Sequence, residues 1–250
     1  MLTALILTGN SAPTVENCLR SLQWCNRIIV VDSYSTDGTV EICRKFATRI
    51  YQNPFSSYGE QLNWALKRLN TPWVFVVDSD EEVSLKLQEE VKNLFKGGDP
   101  PLDGYYIRRK SKFLGRWIYH SGWYPDYVLR LFRRDKTQYR KRRLGSSPLI
   151  KGITGYLKEE LLHYPYADLT HYIEKFSKYT RLSAEQMYQE GRRAHLYDIS
   201  LRPLLRFFKD YLFRGSFLDG TAGFIISVLS SYYVFMKYTR LWEIQKKSSE

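Results

Sequence analysis

Short apolar runs separated by amphipathic stretches set the rhythm of residues 1–98. Residues 2–7, 27–31 and 73–77 are rich in Leu, Ile, Val, Phe and Trp, the composition of strands buried on both faces. Helical spacing is predicted over 11–24, where Ser11 and Pro13 open the first turn, and over 39–47 and 59–69, with a short strand at 49–52. A further helix over 84–95 takes Ser84 as its cap. Strand alternating with helix in this way predicts an α/β fold built on a doubly wound, mostly parallel sheet with right-handed connections.

Gly97-Gly98-Asp99-Pro100-Pro101 breaks the rhythm. Beyond it, 105–112 and 127–132 read as strands bracketing an aromatic loop at 117–124. From Leu169 the spacing of Leu169, Tyr172, Ile173, Phe176, Tyr179 and Leu182 is helical, and Gly191 stops it. Helices at about 202–213 and 224–238 follow. The expected organisation is a domain over 1–165, with halves 1–98 and 99–165, and a C-terminal amphipathic helical extension over 166–250. In that extension Leu204, Leu205, Phe207 and Phe208 lie among Arg202, Arg206, Lys209 and Arg214, which suits a helix in a membrane interface. Packing on the domain or on a second subunit is the alternative. Residues 224–236 carry no charge but are too few to span a bilayer, and no window of 18 uncharged apolar residues exists, so no spanning helix is expected. The N-terminus reads as a first strand and not as a signal peptide.

Charge narrows the partners. The formal net charge is +12, and residues 105–143 hold thirteen Lys and Arg against Asp126 and Asp135, a local excess of +11. The middle of the chain therefore faces an anion: nucleic acid, anionic lipid or a phosphorylated substrate. Cys18, Cys25 and Cys43 lack metal-ligand spacing, and so sparse and odd a set fits a reducing, cytoplasmic compartment.

The candidate chemistry sits at two strand ends. Trp73 to Val77 runs into Asp78-Ser79-Asp80, and Arg27 to Val31 into Asp32-Ser33. In an open α/β sheet ligands bind outside the carboxyl ends of the strands. A D-x-D there offers carboxylate oxygen to Mg²⁺ or Mn²⁺ while leaving coordination positions for diphosphate and water. Two such ends predict a nucleotide-diphosphate site. Asp126, beside Trp117, Trp123 and Tyr124 in the aromatic loop region, is the candidate for taking a proton from a sugar hydroxyl, with the rings available to stack on sugar faces.

Trp24-Cys25-Asn26-Arg27 through Asp32-Ser33, then Ser35-Thr36-Asp37-Gly38-Thr39, resemble the nucleotide-binding start of family 2 glycosyltransferases. Asp78-Ser79-Asp80-Glu81-Glu82-Val83 resembles their D-x-D segment. Phe113 to Trp117, Gly122 to Tyr127, Leu129 to Arg134, Leu162-His163-Tyr164 and Phe217-Leu218-Asp219-Gly220 narrow the resemblance to the lipopolysaccharide-core glucosyltransferases that act on inner-core heptose. The resemblance implies a GT-A-type fold, a UDP-sugar donor, inversion at the anomeric carbon, and a peripheral location on the cytoplasmic face of a Gram-negative inner membrane. It implies that Thr8 lies beside the uridine and that Asp32, followed by Ser33 in the donor site, hydrogen-bonds uracil or ribose. Gln61 and Asn63 close over the nucleotide, and Asp78 and Asp80 meet ribose, diphosphate and metal, with Asp80 the metal ligand. Arg116, Trp117, Trp123, Tyr124 and Arg130 would receive a lipid-linked anionic saccharide acceptor.

Two positions depart from the resemblance. Leu62 stands where relatives often carry a basic residue, and a His-Glu pair of relatives aligns with Gly145 and Ser146. Neither glycine nor an unassisted serine accepts a hydroxyl proton well, so either Asp126 serves as base or the chain binds donor without turnover. A nucleotidyltransferase would need a glycine-rich basic loop after the first strand, and Thr8-Gly9-Asn10-Ser11 has none. A nucleic-acid-binding module accounts for the charge but leaves both acidic strand ends unexplained, so no nucleic-acid partner is expected.

Overall fold

Alternate residues of the buried runs sort to opposite faces of one sheet. The computed structural model describes residues 1–140 and 148–248, so Gly145, Ser146 and the cations Lys141, Arg142 and Arg143 lie outside the described residues. β1 (Leu2–Thr8), β2 (Arg27–Asp32), β3 (Arg49–Gln52) and β4 (Trp73–Asp78) are parallel, in the order β3-β2-β1-β4. The helices α1 (Ala12–Arg20), α2 (Thr39–Arg44) and α3 (Tyr58–Leu66) follow the first three strands. After β4 come the short β5 (Glu81–Val83) and α4 (Leu85–Leu94), capped by the Ser84 hydroxyl, which accepts from Leu87 N.

Ala4, Ile6, Val30, Trp73, Phe75 and Val77 pack with α1, α2 and α4 on one face. Leu5, Ile29, Val31, Val74 and Val76 pack with Leu62, Ala65 and Leu66 of α3 on the other. The doubly wound arrangement is therefore present, with each buried aliphatic side chain contributing on the order of 1.5–3 kcal/mol. α1 stops at Arg20, short of the expected Trp24. The Ser21 hydroxyl donates to Cys18 O (2.7 Å) and accepts from Val83 N (3.0 Å), which ties the helix end to β5.

The sheet continues in antiparallel sense through β6 (Gly104–Phe113), which carries the two-residue β7 (Arg116–Trp117), and β8 (Asp126–Arg133). β9 (Thr137–Tyr139) and β10 (Pro148–Ile150) form a separate ribbon, and β11 (Thr154–His163) completes the order β4-β8-β6-β11-β5. β11 has no counterpart in the sequence expectation. Its buried Leu157 and Leu161 are four residues apart, a spacing shared by one strand face and one helix face.

Met1–Lys110 with Asp126–Pro165 make one compact unit, and Ser111–Pro125 with Tyr166–Glu250 make a second. The second is built on α5 (Leu169–Gln189), α6 (Leu196–Phe208) and α7 (Gly220–Lys247). Phe113, Ile118, Tyr172, Phe176, Ala222 and Ile226 form one of its cores, and Ala184, Met187, Ala194, Tyr238 and Leu241 another. α6 begins six residues before the expected Arg202. Asp198 accepts from His195 N (2.9 Å) to cap it, the helix passes through Pro203, and Lys209–Phe213 extend it as a π-helical turn. α7 replaces the expected 224–238 with 28 residues. Among the described residues, Ser216–Lys247 is long and apolar enough to cross a bilayer by length and composition alone, a longer stretch than the expected 224–238.

All three thiols are free, and burial pushes each upward: Cys18 well above the ordinary thiol range, Cys25 to about 12 and Cys43 to about 11. A thiol reagent at pH 8 is therefore expected to react slowly with the folded chain and to count three thiols once it is unfolded. Rapid labelling of Cys18 or Cys43 in the native state would contradict their burial.

Candidate active site at the strand ends

The register of the parallel strands sets Thr8 beside Asp32, and Leu7 beside Asp78, so three strand ends finish at one level. Asp32 is fully buried there. Its Oδ1 accepts from the Thr8 hydroxyl (2.9 Å) and the Ser35 hydroxyl (2.5 Å), and its Oδ2 from Ser35 N (2.9 Å). The carboxylate that the resemblance assigns to uracil or ribose thus folds the β2 loop back onto β1. Asn10, at φ 51°, donates its backbone N–H to Ser35 Oγ (2.8 Å) and accepts from Thr36 N (2.9 Å). Asp37 receives Ala12 N (3.0 Å) and the Thr39 hydroxyl (2.5 Å). Slight burial raises its pKa, but these hydrogen bonds outweigh it and hold the carboxyl below its ordinary range.

Gln61 is buried and links this loop to β3. Its Nε2 donates to Asn53 O (3.0 Å) and Ser33 Oγ (3.3 Å), and its Oε1 accepts from Asn53 Nδ2 (2.6 Å). Asn63, two residues on, faces elsewhere: its amide pairs with both backbone groups of Tyr139 at 2.8 and 2.9 Å. Asn63 thereby holds β9.

A second network grips the end of β4. Asp78 accepts from the Tyr58 hydroxyl (2.7 Å) on one oxygen and from Arg130 Nη2 on the other. Arg130 also donates to Tyr58 Oη (2.8 Å) and to Glu81 Oε1 (2.5 Å), while Glu81 Oε2 accepts from Asp78 N (3.0 Å). Arg130 is 5% exposed and the Glu81 side chain 0%. Burial alone lowers the Arg130 pKa, but the carboxylates of Asp78 and Glu81 outweigh it and raise it well above the ordinary value. Desolvation likewise raises Tyr58, which stays a phenol and a donor. Arg130 was expected to meet the acceptor; its guanidinium is instead enclosed between two acids of the same unit.

Arg109 extends the chain of charges. Its Nη1 lies 3.3 Å from Glu81 Oε1, and its Nε and Nη2 donate to Asp126 Oδ2 at 2.9 and 2.6 Å. Both bonds fall on one oxygen of Asp126, which leaves Oδ1 for another partner. The Asp126 side chain is 38% exposed at the first residue of β8.

Asp80 lies in the turn between β4 and β5. Its backbone O accepts from Tyr164 N (2.8 Å), and its carboxylate lies 3.7 Å from His163 Nε2 with a quarter of the side chain exposed. Ser79 Oγ donates to Ser11 Oγ (2.9 Å), joining this turn to the β1 loop. No group of three or more metal-ligating side chains occurs among the described residues. A strand-end carboxylate such as Asp80 is of the type that suits Mg²⁺ or Mn²⁺, which keep most of their coordination for phosphate oxygen and water. A concavity lined by Met1, Trp24, Lys92 and Phe95 opens at the amino ends of β1 and β2, away from these carboxylates.

The remaining expected residues belong to the second unit. Arg116 and Trp117 form the β7 hairpin, with Lys112 Nζ 5.7 Å from the Trp117 ring. Trp123 is half-buried, edge-on to Phe113 at 5.6 Å, and Tyr124 packs on Tyr119 at 5.8 Å. Sequence reasoning missed Tyr58, Glu81 and Arg109. Glu81 adjoins the D-x-D segment, but nothing along the chain marks Arg109 among thirteen cations.

Replacing Arg130 by Leu leaves the buried Glu81 and its neighbour Asp78 without their cation. The substitution is expected to lower unfolding free energy by about 3–5 kcal/mol in denaturant titration. Arg130→Lys is expected to rescue only partly, since one ammonium cannot reproduce the fork that meets Tyr58, Asp78 and Glu81 together.

Comparison with known proteins agrees with this architecture. The chain is 28% identical, over 97% of its length and 92% of the relative's, to the lipopolysaccharide core biosynthesis glycosyltransferase LpsC of Rhizobium meliloti. It is 25% identical to an uncharacterized glycosyltransferase of Rickettsia conorii, covering 99% of this chain and 92% of the relative. Among solved structures, the Pyrobaculum calidifontis mannosyltransferase PcManGT, in complex with GDP-Man and Mn²⁺, matches with TM-score 0.52 and 14% identity over 97% of this chain and 87% of that one. S. aureus TarS residues 1–349, in complex with UDP-GlcNAc, match with TM-score 0.50 and 16% identity over 99% of this chain and 92% of that one. These two are likenesses of fold, and the fold is GT-A-type α/β with a long C-terminal helix. The model of glycosyl transferase family 2 matches residues 3–161, the stretch that builds both halves of the sheet and its acidic strand ends, and the chain belongs to that family.

Proposed function

We propose that this glycosyltransferase moves a hexose, glucose, from a UDP-sugar to an inner-core heptose of lipopolysaccharide or lipooligosaccharide, with inversion. The observation that carries the donor half is the stitching of loops at the ends of β1, β2 and β4, where the Asp80 side chain is a quarter exposed while Asp32 and Asp78 hold the surrounding loops. The likeness to a lipopolysaccharide-core enzyme over nearly the whole chain supports the acceptor class. The basic segment supports it too, because core saccharides carry carboxylates and phosphates that guanidinium groups recognise. A lipid-linked acceptor places the chain, as a peripheral protein, on the cytoplasmic face of the inner membrane.

In this reading the acceptor hydroxyl attacks the anomeric carbon on the face opposite the leaving UDP. Asp126 receives the hydroxyl proton through Oδ1, while Arg109 fixes the carboxylate through Oδ2. Arg109 is itself held by Glu81, so the base candidate and the D-x-D turn share one anchored guanidinium. Asp80 would hold Mg²⁺ or Mn²⁺. Such an ion, when bound, neutralises charge on the departing diphosphate.

UDP release from UDP-glucose, measured with Mg²⁺ and with or without a heptose-terminated core acceptor, tests the whole reading. Acceptor-dependent release is expected, and donor binding without release would mark a donor-binding protein instead. Asp80→Asn is expected to cut metal-dependent donor binding and transfer by about a hundredfold or more. Asp126→Asn is expected to lower kcat by about 10²–10⁴ while donor affinity holds. Turnover by Asp126→Asn at the unsubstituted rate would place the base on another residue.

A further inference from the structure

α6 and its π-helical extension are amphipathic with the apolar face turned outward. A surface helix of a globular protein normally buries its apolar stripe and shows its charges. Here Asp198 is 2% exposed and Asp210 0%, while Leu201, Leu204, Leu205, Phe208, Leu212 and Phe213 are between 50% and 86% exposed. Pro203 is the other residue of α6 that is buried.

The inward side is fastened to α7 by polar bonds. Arg202 donates to Tyr238 Oη (2.8 Å), Ser231 donates to Pro203 O (2.7 Å), and Gln245 Oε1 accepts from Ala194 N (2.9 Å). Arg202 reaches Asp198 at 2.5 Å, and Arg206 and Arg214 reach Asp210 at 2.5 and 3.0 Å. In each pair the acid lies underneath and the arginine is 38–47% exposed. Lys209 is exposed as well. The outer surface of this segment therefore combines an apolar ridge with four cations and shows neither of its own acids.

We propose that α6, from Leu196 through the turn ending at Phe213, is an in-plane membrane anchor that seats its apolar ridge among the acyl chains of an anionic bilayer leaflet. The inference rests on the membrane reading above and assigns it to one element. Charge complementarity selects the occupant: arginines ringing an apolar ridge meet lipid phosphates, whereas a second copy of the same face would set cation against cation. At 1.5 Å per residue, α6 presents a ridge about 20 Å long. The helix lies along the surface and α7 beside it does not cross the bilayer. α7 packs along α5, which carries Glu174, Lys175, Lys178, Arg181 and Glu185, and Arg240 of α7 bonds Ser177 of α5 (2.6 Å). Such a charged flank does not enter hydrocarbon.

The test is co-sedimentation of the full chain with phosphatidylethanolamine–phosphatidylglycerol vesicles and with phosphatidylcholine vesicles. Binding to the anionic vesicles is expected, and weaker binding to the neutral ones. Leu204→Asp and Phe208→Asp are each expected to reduce bound protein by about tenfold. Leu85→Asp, which adds the same charge to a side chain 78% exposed on α4, is expected to change nothing. All three are expected to keep the unsubstituted melting temperature and UDP-sugar affinity in solution, since each site is already exposed. If the unsubstituted chain binds vesicles and the α6 variants bind as well, α6 is not the anchor although the membrane reading stands. If the unsubstituted chain binds neither vesicle, both fail. A dimer in solution that Leu204→Asp converts to monomer, without vesicle binding, would assign the ridge to a second copy.

Discussion

The arrangement of the acidic strand ends depends on one buried cation. Arg130 projects from β8 and holds Asp78, the last residue of β4, and Glu81, the first of β5. β4 is the last parallel strand and β8 the first antiparallel one, so this ion cluster joins the two halves of the sheet where donor chemistry is expected. Two carboxylates this close cannot both remain charged away from water without a counter-ion. The guanidinium supplies it, and the Tyr58 phenol closes the remaining gap. Asp78 is thereby held on both oxygens, while Asp80, the next acid of the D-x-D turn, keeps a quarter of its side chain exposed beside His163.

The partners that hold Asp78 were not legible along the chain. The parallel strands were, because a strand buried on both faces leaves an uninterrupted apolar run, and β1, β2 and β4 each leave one. The acidic ends were legible for the same reason: Asp32 and Asp78 interrupt those runs where a polar residue needs a reason to be. Partnership was not. Arg130 sits 49 residues from Glu81 and is one cation in a dense basic segment, so charge patterning suggested an outward-facing ligand where packing made an inward-facing one. The partner of Asn63 was hidden in the same manner. Helical geometry turns it about 200° from Gln61, two residues earlier, and only the position of β9 shows what it meets.

The helical unit was misread for a different physical reason. Apolar spacing placed the start of α6 too late, at Arg202, whereas the cap lies at His195 and Asp198, about two turns further upstream, and the helix runs on through Pro203. Periodicity also finds the apolar face of a helix without saying which way it points. In α5 that face supplies the buried Tyr172, Phe176, Ala184 and Met187, and in α6 it faces out. The deciding residues are acids: Asp198 and Asp210 are buried with arginine partners, and their burial fixes the helix's rotation more firmly than its leucines do.

The same asymmetry runs through both units and changes what the net charge means. Asp32, Glu81, Asp198, Asp210 and Asp219 are at most 2% exposed, and Arg130 is the buried cation among the described residues that accompanies them. Each of these acids does internal work, closing a loop, neutralising an arginine or, for Asp219, receiving the backbone N–H groups of Tyr119 and His120. The arginines that answer Asp198 and Asp210 keep 38–47% of their side chains in solvent. The surface that a ligand touches is consequently more cationic than the formal +12 implies. A chain that buries its acids and exposes its bases offers anionic saccharides and anionic lipid the same surface chemistry, so the acceptor and the leaflet attachment proposed above would both draw on one feature of how the fold is packed.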